Sequence, residues 1–167
     1  MAIDSSGKKN AASAARLTTC LPFVVLGIVA IVSGGVIAAA IAHQPSRSLV
    51  WMVAYLVLVV GVVQIVFGAG QAWLAARVPT RSTTWGQWLV FNVANACVIV
   101  GTLCNSTDLV ALGTVAFVLA LAWFLWGVHR CRHGGWGIAY RVLLALMLVS
   151  ANVGLVLSVV SHAGYAG

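Results

Sequence analysis

Five runs of apolar residues, separated by short polar turns, account for most of this chain. They cover about 21–42, 49–75, 85–103, 109–128 and 138–160. Each approaches or exceeds the ~20 residues a helix needs to cross a hydrocarbon core of about 30 Å. Their interiors do not alternate polar and apolar residues as a membrane barrel does, and helices are the open-ended way to satisfy the backbone in lipid. The pattern therefore predicts an all-α integral membrane protein: a five-helix transmembrane domain over 21–161. A basic polar tail (1–20, with a short helix over Ala11–Leu17) precedes it, and a short tail (162–167) follows.

Basic residues sort the turns into two sides. The tail holds Lys8, Lys9 and Arg16, the turn after the second run Arg77 and Arg81, and the segment after the fourth Arg130, Arg132 and Arg141. The alternate side holds Arg47 alone. Positive residues mark cytoplasmic turns, so the N-terminus is expected in the cytoplasm and the C-terminus outside, in a plasma or inner membrane. Trp73, Trp85, Trp88, Trp126 and Trp136 then fall at the inner interface and Trp51 and Tyr55 near the outer one, where interfacial aromatics belong. The first run also admits a signal-peptide reading, with cleavage after Ala40-Ile41-Ala42, but it exceeds the usual ~7–15 apolar residues of a signal core.

Composition agrees with the pattern: 62% of the 167 residues are hydrophobic and 7% charged, against roughly a quarter charged in soluble domains. The net charge of +7 is explained by topology, not by nucleic acid, which is not expected as a partner. The only acids are Asp4 and Asp108. Paired-carboxylate chemistry has nothing to use, and no run carries Asp, Glu, Lys or Arg deep in its interior, where coupled transporters keep one; Arg141, in the first turn of the last run, comes nearest.

Polar chemistry inside the runs is confined to amides and hydroxyls. On the second run Gly61, Gln64, Gly68 and Gln71 share a narrow stripe at ~100° per residue, and on the third Asn92, Asn95 and Thr102 share another. A short turn joins the two runs, so they are expected as antiparallel neighbours whose amides bond across the gap. Ser33-Gly34-Gly35 on the first run suits close packing. On the fifth, Ser150, Gly154 and Ser158 form a small-residue ridge, with Asn152 pointing elsewhere, toward a second neighbour or another subunit. The fourth, with Gly113 and Thr114 as its polar concessions, is expected to face lipid.

Four histidines complete the candidates. His43 and His162 follow the outer ends of the first and fifth runs and could share a copper or haem iron, although a haem buried among the helices would want its ligands deeper. His129 and His133 flank Cys131 in HRCRH, which lacks the spaced pairs of a zinc site and reads better as a basic helix end facing anionic headgroups. Cys20 and Cys131 fall on the cytoplasmic side, Cys97 mid-membrane and Cys104 alone near the oxidising side, so no intramolecular disulfide is expected. Asn105-Ser106-Thr107 matches a glycosylation acceptor in a loop too close to the membrane to be a good substrate. The expectation is a non-catalytic, multi-pass protein without a cofactor, with the bilayer, partner subunits or its own copies as partners. A redox protein using His43 and His162, and a passive channel for a small neutral solute lined by Gln64, Gln71, Asn92 and Asn95, are the alternatives.

Overall fold

The computed structural model describes residues 3–75, 78–128 and 134–163, and the side chains of residues 10–75, 78–128 and 134–152. The described chain is helical between its turns and has no strand. Five helices are long and apolar enough to cross a membrane: α1 (Ile3–Ala40), α2 (Arg47–Leu74), α3 (Arg81–Leu103), α4 (Thr107–Val128) and α5 (Gly135–Ala163). The shortest, α4, has 22 residues, about 33 Å at ~1.5 Å per residue. The start of α1, expected as a separate tail, is continuous with the first span because the Ala-rich stretch 11–15 offers no breaker.

Local chemistry sets the helix ends. Ser46 and Thr80 cap α2 and α3, their hydroxyls accepting from Leu49 N at 3.3 Å and Thr83 N at 3.2 Å. After α3 the chain reverses at Asn105, at φ 53°. Ser106 N donates to Gly101 O at 2.8 Å and Asn105 N to Thr102 O at 3.4 Å, the paired bonds of a Schellman ending with asparagine in the glycine position. Inside α2, Leu56–Val63 is wound as a wider π-type helix between α-helical Arg47–Tyr55 and Gln64–Leu74. The wider turns end at Gln64, where the polar stripe begins.

The helices pair as α1 with α2 and α3 with α4, and α5 lies along α4. The closest backbone packing on α2 comes from α1, not from α3. Glycines set that approach. A Cβ on Gly27 would stand 2.5 Å from Ile65 Cγ1 and 2.9 Å from the Gly61 carbonyl oxygen, and one on Gly61 would stand 2.5 Å from Ile31 Cγ1. Gly34 meets Val57 and Gly68 meets Phe23 in the same way. Small residues let backbones close to van der Waals contact, which is the source of helix association in lipid.

All five phenylalanines of the chain are buried, and they draw the helices together. Phe67 of α2 lies 5.9 Å from Phe91 of α3, 5.2 Å from Phe124 of α4 and 5.8 Å from Tyr140 of α5, between ring centroids. Phe23 of α1 meets Phe124 at 5.7 Å, and Phe91 meets Phe117 at 5.4 Å. Every helix contributes at least one ring. The tryptophans do the opposite: Trp73, Trp85, Trp126 and Trp136 are exposed near the helix ends that carry Arg16 and Arg81. Trp88 is the exception, its indole N–H donating to Pro22 O on α1 at 3.1 Å.

The expectation that α4 faces lipid is corrected here. A third of its most apolar stretch (33%) is buried, more than in any other span, and Phe117, Ala120, Leu121, Phe124 and Val128 form the buried face. Lipid tails are as apolar as leucine, so a helix without polar residues has no preference for them over a well-packed interior.

Candidate functional site: a buried amide stripe

The buried face of α3 follows its helical period through Thr84, Gln87, Phe91, Ala94 and Asn95. It meets the Gln64–Gln71 face of α2 around the phenylalanine cluster. Gln64 is fully buried and Gln71 nearly so (0% and 1% exposed), yet neither carboxamide has a hydrogen-bond partner on either its oxygen or its nitrogen. Gln71 lies against Gly127 of α4, where a Cβ would come within 2.5 Å of its Nε2. Gln87 donates to Trp123 O at 3.4 Å while its Oε1 is unpaired, and the Thr84 hydroxyl is likewise buried and unpaired. A buried amide or hydroxyl without a partner costs roughly 1–3 kcal/mol by mutational measures, so these six atoms mark where the bundle interior is least satisfied.

The opposite half of the stripe is closed by hydrogen bonds. Tyr55 OH donates to Asn95 Oδ1 at 2.7 Å, and Asn95 Nδ2 donates to Phe91 O at 2.7 Å. Asn92 Nδ2 donates to Trp88 O at 2.7 Å and Thr102 Oγ1 to Val98 O at 2.8 Å, both within α3. The glutamine and asparagine amides expected to bond to one another across α2 and α3 therefore do not. The asparagines have short side chains that reach their own helix backbone, and a tyrosine supplies a bond between the two helices.

The glycines of the stripe turn away from the amides: Gly61 and Gly68 pack on α1. On α5, Ser150 and Asn152 are exposed, and Asn152 Nδ2 donates to Leu148 O of its own helix at 2.7 Å. The side chains of Gly154, Ser158 and His162 lie outside the described residues, as do His129, Cys131 and His133. His43 is exposed in the turn after α1. Among the described residues no group of three or more His, Cys, Asp or Glu comes together. Cys20, Cys97 and Cys104 are free thiols.

Sequence reasoning missed Thr84, Gln87 and Tyr55. Thr84 and Gln87 lie beside Trp85 and Trp88, at the boundary between the turn and the third run, although the spacing Thr84–Gln87–Phe91–Asn95 is the helical signal that joins them. Chemically the site offers neutral donors and acceptors, and among the described residues no Asp, Glu, Lys, Arg or His lines the stripe. It can glue helices or hold water or a neutral hydrogen-bonding solute; it carries no nucleophile–base pair. No protein-family model matches the chain, and no curated protein or solved structure matches it.

Proposed function

We propose that this chain is a multi-pass protein of a plasma or inner membrane, with a cytoplasmic N-terminus and an external C-terminus. In this reading it has no catalytic machinery and serves as a structural or accessory subunit of a membrane assembly, or as a homo-oligomer. Asn152 carries the proposal. It lies three residues beyond the centre of α5, about 4.5 Å along the axis, and is exposed on the outside of the bundle. A carboxamide facing lipid at that depth is costly, and a neighbouring helix that accepts or donates a bond relieves the cost, by about 0.6–2 kcal/mol per bond. The exposed apolar face beside it, with Val142, Leu146 and Val149, suits helix packing as readily as lipid.

The test is the mass of the protein extracted in native nanodiscs. The expected result is a particle holding several copies or a second subunit, reduced toward the 17.4 kDa chain by Asn152→Leu. A single chain at every concentration would count decisively against the proposal.

A second reading, a path for a small neutral solute, is favoured by the unpaired amides of Gln64 and Gln71. Asn92 and Asn95 are already engaged and the phenylalanine cluster fills the interior beside them, so such a path needs the rings to move. Liposome flux tests it: a rate unchanged by Gln64→Leu removes the amides from the pathway.

A further inference from the structure

A groove of about 710 Å³ opens where α1, the turn after α2 and the start of α3 meet. Its floor is apolar, formed by Leu21, Pro22 and Val25, and Trp85 stands at its side. Leu21 and Val25 are 57% and 54% exposed, so the floor runs without interruption onto the apolar exterior of the bundle. The other end is polar. Arg81 and Thr84 line it, in the first turn of α3. Thr84 is 3% exposed and its hydroxyl has no partner. Thr80 takes up Thr83 N and Thr84 N; the N–H groups of Arg81 and Ser82 begin α3 at the same place, where an anion is favoured.

Among the described side chains no acid stands near the charge at Arg81, and the side chain of Asp4 lies outside them. The chain has two acids against nine lysines and arginines, and Asp108 begins α4 at the opposite end. We infer that this groove binds one anionic glycerophospholipid, its phosphate held by Arg81, the Thr84 hydroxyl and the start of α3, and an acyl chain lying over Leu21, Pro22 and Val25. A free phosphate would have no use for the apolar floor, and a zwitterionic lipid would bring a headgroup cation toward the Arg81 charge along with its phosphate. The inference rests on the membrane reading above.

The experiment uses the full chain, purified and stripped of lipid, with lipid binding followed by native mass spectrometry against phosphatidylglycerol and phosphatidylcholine of the same acyl composition. A basic side chain near a headgroup is worth about 1 kcal/mol, which is a preference of about fivefold. The expected result is at least that preference for phosphatidylglycerol, reduced to near parity by Arg81→Gln, weakened by Thr84→Val and unchanged by Arg47→Gln at the other end of the bundle. A photoactivatable acyl chain on the anionic lipid should label the Leu21–Val25 peptide. Equal retention of the two lipids, an undiminished preference in Arg81→Gln, labelling confined to other peptides, or full competition by glycerol phosphate would each overturn the inference. Should Arg81→Gln fail to fold, the Thr84→Val and labelling results decide. Release of the protein from membranes by alkaline carbonate would instead overturn the membrane reading itself.

Discussion

Gly27 and Gly35 lie two turns apart on α1 and differ in what surrounds them. A methyl group added at Gly27 would stand 2.5 Å from Ile65 Cγ1 and 2.9 Å from the Gly61 carbonyl oxygen. The isoleucine can rotate, but the carbonyl belongs to the backbone of α2, so α1 and α2 must move apart. At Gly35 the same methyl would meet nothing within 4 Å. Replacing glycine by alanine in a helix interior contributes up to about 1 kcal/mol of stability through propensity alone. Overpacking a closed contact costs about 1–3 kcal/mol. The propensity gain is common to both sites, so the difference between Gly27→Ala and Gly35→Ala isolates the contact. Gly35→Ala should be neutral or stabilising, Gly27→Ala destabilising, and the two should differ by about 1–3 kcal/mol. Reversible unfolding in bicelles by titration with a denaturing detergent measures this. Equal shifts in the same direction would refute the claim that glycines set the α1–α2 approach.

Neighbouring rings on α4 give a second contrast. Phe124→Ala removes a fully buried ring; with little transfer term against lipid, a cavity of roughly 100 Å³ at ~24 cal/mol per Å³ predicts a loss of about 2.4 kcal/mol, whereas Trp126→Ala, at a position 74% exposed, should shift the same unfolding curve far less. Tyr55→Phe deletes the 2.7 Å bond to Asn95 and should cost about 0.6–1.7 kcal/mol, an effect expected to vanish in an Asn95→Leu background if the bond is its source. The purified protein should be colourless and free of copper and iron, and His43→Ala should leave its absorption spectrum unchanged; a haem band lost in that variant would support the redox alternative instead.

How much of this was readable beforehand differs sharply between levels. The five long apolar helices were legible because length and hydropathy determine them, and their ends fall within four residues of expectation apart from the helical extension of α1 below residue 21. Packing was much less so. Hydropathy ranks phenylalanine with valine and leucine, so nothing marked Phe23, Phe67, Phe91, Phe117 and Phe124 as the set that gathers the helices. In water an apolar stripe points to the core; here both sides of a helix are apolar, and α4 shows how that misleads. Polar residues were the better guide, and they located Gln64, Gln71 and Asn95 inside the bundle. Their partners were not legible, since these depend on side-chain reach: Asn92 and Asn95 return to their own backbone and Gln71 rests on Gly127. The run Ser33-Gly34-Gly35 suits close packing at only one of its glycines: Gly34 meets Val57 while Gly35 stands open.

The central claim, that the bundle crosses a membrane with its basic turns in the cytoplasm, is tested most directly by thiol labelling in intact cells. Cys104 is exposed at the end of α3 opposite Arg81. A variant retaining Cys104 alone should react with a membrane-impermeant maleimide from outside, while a cysteine-free variant carrying Arg81→Cys should react after the membrane is opened and not before. Labelling of both sites in intact cells, or of the Arg81→Cys site alone, would contradict the account.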